Sequence, residues 1–184
     1  MDHSPGQGQF TSEQAWRAWY ARRFQGDEAA LDDLIARRRA RQSGVDGRRC
    51  ELAALARASA ATLASHDDDT IADIERSAEL GSSIAEFPVS VRAAAAASAA
   101  GLGVVMGAPN AQRGRSHMDG LSARQALSDG HLDALASDYH PGSLIAAAYQ
   151  LAAEDVCSWS DAVALVSSGP AAIAGLSDRG LIVP

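Results

Sequence analysis

Residues 62–88 read TLASHDDDTIADIERSAELGSSIAEFP. The stretch starts as a short apolar run, Thr62 to Ser65, and stops at His66. Three aspartates follow. Ile71, Ile74 and Ala78 then recur at spacings of three and four, which gives a helix one apolar face. Asp68 or Asp69 stands where an N-cap belongs, because a carboxylate there accepts from the free amides of the first turn. Gly81 stands where the helix closes, since glycine tolerates the left-handed cap position. Ser83 to Phe87 predicts a second strand ahead of Pro88. Strand, polar tip, helix and strand make a βαβ unit. In parallel sheets built from such units, ligands bind at the carboxyl ends of the strands. His66 occupies such a tip.

The same alternation continues beyond this unit. Ser90 predicts the cap of an alanine-rich helix that runs to Ala100 and stops at Gly101. Gly103 to Gly107 reads as a buried strand, Ala108 to Leu121 as a long polar loop, and Ser122 to Asp129 as a short helix. Leu132 to Ser137 predicts a strand that ends at Asp138-Tyr139-His140-Pro141. Helices are expected over Gly142 to Glu154, Ser160 to Ser167 and Ala171 to Leu176, and Leu181 to Pro184 reads as the start of a strand. Strands that alternate with helices predict an α/β fold with a parallel sheet.

Ahead of the central unit the pattern is helical. Met1 to Gly8 reads as a strand end and loop that carries His3. Thr11 to Phe24 is a predicted helix, with Thr11 and Gln14 in capping-box spacing and an aromatic face of Trp16, Trp19, Tyr20 and Phe24. Asp27 to Gln42 is a second, with Leu31, Leu34 and Ile35 inward. Arg37, Arg38, Arg39 and Arg41 crowd its end, as a solvated turn that complements the helix dipole. Gly44 to Gly47 interrupts the pattern, and Arg48 to Ala61 is a third helix with Cys50, Ala53, Leu55 and Ala56 available for packing. Residues 11–61 therefore form a helical insertion between His3 and the next strand.

Composition narrows the function classes. The chain has 184 residues, 47% hydrophobic and 21% charged, which is a globular composition with enough length for a core. A net charge of −7 argues against nucleic acid or an anionic membrane as the main partner. No apolar run is long enough to span a bilayer, and the first ten residues lack the basic and apolar regions of a signal peptide. A cytoplasmic protein is expected, with Cys50 and Cys157 as buried, reduced thiols. The sequence contains no lysine, so every basic side chain is an arginine.

His3, His66 and Asp138 each lie just past an apolar run or at a turn before a helix. In a parallel sheet these positions converge at the carboxyl end. Two imidazoles and a carboxylate form the mixed nitrogen and oxygen set that binds zinc or manganese. On the residues alone two plainer readings stay open. His66 is a turn histidine bonded to Asp67 or Asp68, and Asp138 caps the helix that begins near Pro141. The run Arg113-Gly114-Arg115-Ser116-His117 is a candidate phosphate grip, since arginine binds phosphate through two parallel hydrogen bonds; it reads equally as a solvated loop. Glu86, at the end of its strand, reads as a supporting acid, a substrate contact or the partner of an arginine. Tyr139 and His140 flank Asp138 in core, rim or catalytic roles.

Five motifs in order, DHSPGQGQF, LASHDDDT, AELGSSIAEFP, VVMGAPNAQRGRSH and LASDYHPGSL, together with the tail GPAAIAGLSDRGLI, resemble one known family. They are similar to the carboxyl-terminal half of the alpha-D-ribose 1-methylphosphonate 5-triphosphate diphosphatases, metal-dependent hydrolases of phosphonate metabolism in the amidohydrolase superfamily. The resemblance covers nearly the whole chain. It implies a partial (β/α)8 TIM-like barrel, roughly strands five to eight, with the tail leading into a small β-sandwich near residues 181–184.

The resemblance also implies a set of roles. His3, His66 and Asp138 would be the metal ligands of strands five, six and eight, with a divalent zinc or manganese as cofactor. Asp138 would also be catalytic, taking the proton of the attacking water. Arg113, Arg115, Ser116 and His117 would bind the polyphosphate of a phosphorylated sugar substrate, whose 5-triphosphate is cut to the 5-phosphate and pyrophosphate. The family's first-strand ligands and its bridging carboxylated lysine or acid are absent from this sequence. Its usual RGGSHSGN is replaced by Arg113 to Gly120, and its DYVP by a run containing His140. A truncated, weakly active or inactive form is therefore expected. The alternatives are a non-catalytic remnant, a half-chain that needs a separate amino-terminal half or a second copy, and a different amidohydrolase activity such as deacetylation of a sugar phosphate.

Overall fold

The computed structural model describes residues 10, 12–114 and 120–183. The chain divides into two compact units, Met1–Ala61 and Thr62–Pro184.

The first unit is helical among its described residues. Helix α1 spans Glu13–Ala21, α2 Glu28–Gln42 and α3 Val45–Ala58. The cap of α1 is Ser12, whose hydroxyl accepts from the Ala15 amide at 3.1 Å. That differs from the expected capping box on Thr11, which lies outside the described residues. Asp27 caps α2 by accepting from Ala30 at 3.0 Å. Trp16, Leu31 and Ile35 are buried, and Trp16 stacks on Tyr20 with centroids 4.2 Å apart.

Two expectations for this unit are corrected. Arg38 lies over the rings of Trp16 and Tyr20 at 5.3 and 5.4 Å, so the basic cluster is not simply a solvated turn. Arg39 pairs with Glu13 at 2.7 Å, and Arg37 pairs with Asp33 one turn back. The interruption expected over 44–47 is shorter: it falls at Ser43 and Gly44, and α3 starts at Val45 and takes Gly47 into its first turn. The register of α3 then buries Ala53 and leaves Leu52, Leu55 and Cys50 exposed.

The second unit is α/β. Its four strands are β1 Ala64–His66, β2 Ile84–Glu86, β3 Gly103–Gly107 and β4 Ala134–Ala136. They form one parallel sheet in sequence order. Helices α4 (Ile71–Glu79) and α5 (Val91–Ala99) follow β1 and β2. Helices α6 (Ala108–Arg113) and α7 (Ala123–Ser128) separate β3 from β4. Then come α8 (Ser143–Ala153), α9 (Trp159–Ala164) and α10 (Ser168–Ile173). A parallel sheet whose strands each lead into helix is compatible with part of a (β/α)8 barrel. No strand forms over residues 181–183, and Ile182 is fully exposed. No helix among the described residues is long and apolar enough to cross a membrane.

Pleating sorts the strand residues onto two faces. Ala85 and Val104 pack with Ile74, Ala93, Ala97 and Leu102 beneath the helices. Met106 and Leu135 continue that face into a larger cluster with Ala108, Ala147, Leu151 and Leu165. His66, Glu86 and Val105 are register partners across β1, β2 and β3, so they share the opposite face. At the amino end of that face Gly103 lies under Ile173 of α10, where a Cβ would collide with the isoleucine. Leu135 also donates its amide to the Leu165 carbonyl at 2.8 Å, so the outer edge of β4 is met by the end of α9.

Helix α4 is held at both ends. Thr70, and not Asp68 or Asp69, is its cap: its hydroxyl accepts from the Asp73 amide at 3.1 Å, and the Asp73 carboxylate accepts from the Thr70 amide at 3.0 Å. At the other end the Gly81 amide donates to Ala78 and the Ser82 amide to Ser77, with Gly81 at φ 91°. Of the predicted apolar face only Ile74 is fully buried, while Ile71 is half exposed. We expect Ile74→Ala to cost about 2–5 kcal/mol. Ile71→Ala should stay within about 0.5 kcal/mol. Urea denaturation of both variants measures the difference, and equal costs would contradict the packing.

Candidate functional site

His66 ends β1, and the chain turns at once: Asp67 has φ 58°. The left-handed turn sends the Asp67 carboxylate back to the imidazole, with Oδ1 3.2 Å from Nδ1. Aspartate takes this conformation more readily than most residues. Across the ladder His66 is the register partner of Glu86, whose Oε2 lies 3.7 Å from Nε2. Phe87, also left-handed at φ 56°, sets its ring edge-on to the imidazole with centroids 5.2 Å apart. The His66 ring is thus faced by a carboxylate at each nitrogen and by an aromatic ring.

The three aspartates after His66 take separate tasks. Asp68 is buried, bonds the Ser65 hydroxyl and accepts from Ser77 at 3.5 Å. Its carbonyl accepts from the Val89 amide, and the Asp69 carbonyl accepts from the Ser90 hydroxyl at 2.6 Å. The tips of β1 and β2 are therefore tied together by backbone as well as by side chains. Of the two turn partners open to His66 in the sequence, the structure selects Asp67.

Asp138 follows β4 by two residues and is left-handed at φ 54°. Its carboxylate lies beside Gly107 at the end of β3, 3.5 Å from where a Cβ would stand. It does not cap the next helix: α8 begins after Gly142 with no side-chain cap. Ser143 instead braces this loop, its hydroxyl donating to the His140 carbonyl at 2.6 Å.

The electrostatics at His66 are a contest. Burial pulls its pKa down, while the bond to Asp67 and the charges of Asp67, Glu86 and Asp138 push it up; the carboxylates win, and it rises above the ordinary histidine value. Asp138 is thus near enough to His66 to bias its charge. Among the described residues, no group of three or more His, Cys, Asp or Glu side chains is placed to hold a metal ion.

The arginine run is only partly described. Residues 108–113 form α6, and not the expected polar loop, because Pro109 sits in the first turn where its missing amide costs nothing. Arg113 ends α6 and donates to the Tyr139 hydroxyl at 2.5 Å, which joins the ends of β3 and β4. Gly114, at φ 69°, closes the helix. Asn110 holds the returning chain, its amide donating to Leu121 O and its carbonyl oxygen accepting from Ala123 N–H. His3, Arg115, Ser116 and His117 lie outside the described residues.

The structure therefore brings His66 and Asp138 toward one end of the sheet and adds three neighbours. Glu86 and Tyr139 had no fixed role in the sequence, and Phe87 had none at all. The strand register and the left-handed turns bring these residues into place, and neither is visible in a linear pattern.

Comparison with known proteins gives one substantial similarity. The chain is 41% identical over 189 aligned positions, which take in 99% of its length, to alpha-D-ribose 1-methylphosphonate 5-triphosphate diphosphatase of Escherichia coli (strain K12). It spans 49% of that protein, and so resembles a form of it of roughly half length. No protein-family model and no solved structure matches the chain.

The raised pKa of His66 sets a pH dependence in metal-free protein. A charged imidazole stabilises the fold fully below the ordinary histidine pKa, and that contribution is lost as pH rises through the raised value. With chelator present, the urea midpoint should fall between pH 5.5 and pH 8.5, and His66→Gln should flatten that part of the change. An unchanged slope in the variant would show that His66 does not gain charge from its carboxylates.

Proposed function

We propose that this chain is the carboxyl-terminal part of a metal-dependent phosphoanhydride hydrolase that acts on alpha-D-ribose 1-methylphosphonate 5-triphosphate. The observation that carries the reading is the 41% identity with a diphosphatase of that name, taken with His66 and Asp138 at strand ends. The reaction would add water to the α-phosphorus, break its bond to the α,β-bridging oxygen and release pyrophosphate, leaving the sugar 5-phosphate.

Two donors among the described residues, His66 and Asp138, are of the kinds that bind a divalent cation of the zinc or manganese type, and His3 would be the third. Asp67 Oδ1 lies 3.2 Å from Nδ1 of His66, so a neutral ring with its proton on that nitrogen would present the Nε2 lone pair. His66, Asp138 and His3 would hold the ion. When bound, such a cation lowers the pKa of its water to roughly 7 and offsets phosphate charge. The remaining roles belong to this chain's own groups. Asp138 takes the proton of the attacking water. Arg113 binds the phosphates with Arg115, Ser116 and His117, and Tyr139 fixes the direction of its guanidinium. Residues 11–61 would be a helical insertion in the sequence between His3 and β1.

The test has two readouts. Zinc affinity is measured by competition with a chelator; His66→Ala and Asp138→Asn should each weaken it by at least about tenfold. Pyrophosphate release from the sugar 5-triphosphate is then measured for the chain alone and mixed with the amino-terminal half of the E. coli relative. Release that disappears in both variants supports the reading. Cleavage of an N-acetyl sugar phosphate in its place would make the activity a deacetylation.

A further inference from the structure

We propose that the outer face of α8 and α9 is an interface at which two copies of this chain pair about a two-fold axis. The pairing is independent of the hydrolase reading and uses other residues.

Helix α8, Ser143–Ala153, reads SLIAAAYQLAA and carries no charged side chain. Ala147, Ala148, Leu151 and Ala152 fill its inward face, all of them buried. Its exposed positions are Ile145, Ala146, Tyr149 and Ala153, each aliphatic or aromatic. A helix with one face in water ordinarily carries charged and polar residues there, whereas a helix that is hydrophobic all round is a buried one. The sequence of α8 is thus that of a helix covered on both sides.

Helix α9 extends the patch. Trp159 and Val163 stand one turn apart on it, as Ile145 and Tyr149 do on α8. The rings of Tyr149 and Trp159 meet edge to face with centroids 5.3 Å apart, which joins the two pairs into one surface. Ile145 is 74% exposed, Tyr149 64%, and Trp159 and Val163 55% each. An aromatic side chain presents about 150–250 Å², so at these exposures the four side chains offer on the order of 400 Å² of mostly apolar surface. A stable dimer takes about 800 Å² from each partner, with an apolar centre and a polar rim. The patch is large enough to supply that centre.

Shape and charge favour a second copy as the occupant. Beside Tyr149 runs a groove lined by the small residues Gly142, Ala146 and Ala153 and by the polar Gln112, Gln150 and Glu154. Bulky side chains and a small-residue groove therefore lie next to each other on one surface. A two-fold interface needs that combination, since each copy has to offer both. Ala146, Tyr149 and Ala153 also follow one another at spacings of three and four, the seam by which one helix packs on another. With the two α8 helices antiparallel across the axis, each Tyr149 meets the alanines of the other copy. Copies with a net charge of −7 repel where their carboxylates face each other. This face limits that repulsion: α8 is uncharged, Glu154 is paired with Arg124, and Asp161 of α9 accepts from the Ser158 hydroxyl at 2.7 Å.

The experiment is sedimentation velocity on the full chain across the micromolar range, in low and high salt. The wild type should run at twice the mass of one chain, and high salt should not dissociate it. Tyr149→Glu, an exposed substitution with good helix propensity, should raise the dimer dissociation constant by at least about tenfold. Circular dichroism checks that the variant is folded; where it is not, Ile145→Gln is read in its place. Ile71→Glu, which changes an exposed apolar residue of α4, should leave the dimer intact. A wild type that stays monomeric overturns the proposal and leaves the face to a different chain. A dimer that persists unchanged in the α8 variant overturns it too, because the copies then meet elsewhere.

Discussion

The pairing of β1 with β2 in a single parallel register is the constraint on which the site depends. It sets His66 level with Glu86 and, one strand further, with Val105. Because side chains alternate across a sheet, a slip of one residue would turn His66 toward the helices and bring Ser65 to the other face. The helix side resists such a slip. Ala85 and Val104 are wholly buried against Ile74, Ala93 and Ala97, a fit that an imidazole in their row would disrupt. Packing on one face of the sheet thus decides the chemistry available on the other.

That packing uses small residues. Ala93, Ala94, Ala97, Ala147 and Ala162 are among the most buried side chains, and few large ones join them. Alanine pays little entropy on burial and lets helix and sheet approach closely. The cost is that each remaining large side chain, Ile74, Leu151 or Val104, carries a larger share of the apolar burial. The turns at the strand ends add a second cost. Asp67, Phe87 and Asp138 are left-handed, each at a strand's carboxyl end, and L residues disfavour that conformation by roughly 1–2 kcal/mol. Two of the three are aspartates, which accommodate it best. The end of β3 needs no such turn, because Gly107 leads directly into α6.

Much of this was legible in the sequence where one signal had no competitor. Gly103 to Gly107 is a compact apolar run between glycines, and it is the strand observed. Ser90, Ser122 and Gly81 do what their chemistry suggests at helix ends. The reading failed where several residues of one type compete. Asp68, Asp69 and Thr70 all suit an N-cap, and the reciprocal bond with Asp73 selects Thr70. In α3 the leucines and alanines alternate too closely for periodicity to choose a face, and Leu55, available for packing in the sequence, stands outside. The stretch from Ala108 reads as a polar loop, yet its first six residues are helical, and Pro109 suits the first turn of a helix. At the site, the histidine and the aspartate could be named from strand-end position. Their neighbours could not, because the nearness of Glu86 to His66 comes from register and that of Tyr139 to Arg113 from two loops distant in sequence.

The bond from the Leu135 amide to the Leu165 carbonyl also bears on how the sheet can grow. A free edge would recruit a neighbouring strand on first encounter. At β4 the position is already filled from within the chain, so an incoming strand has to wait for α9 to lift away. To bond that amide, a strand arriving at this edge would first have to displace the Leu165 carbonyl.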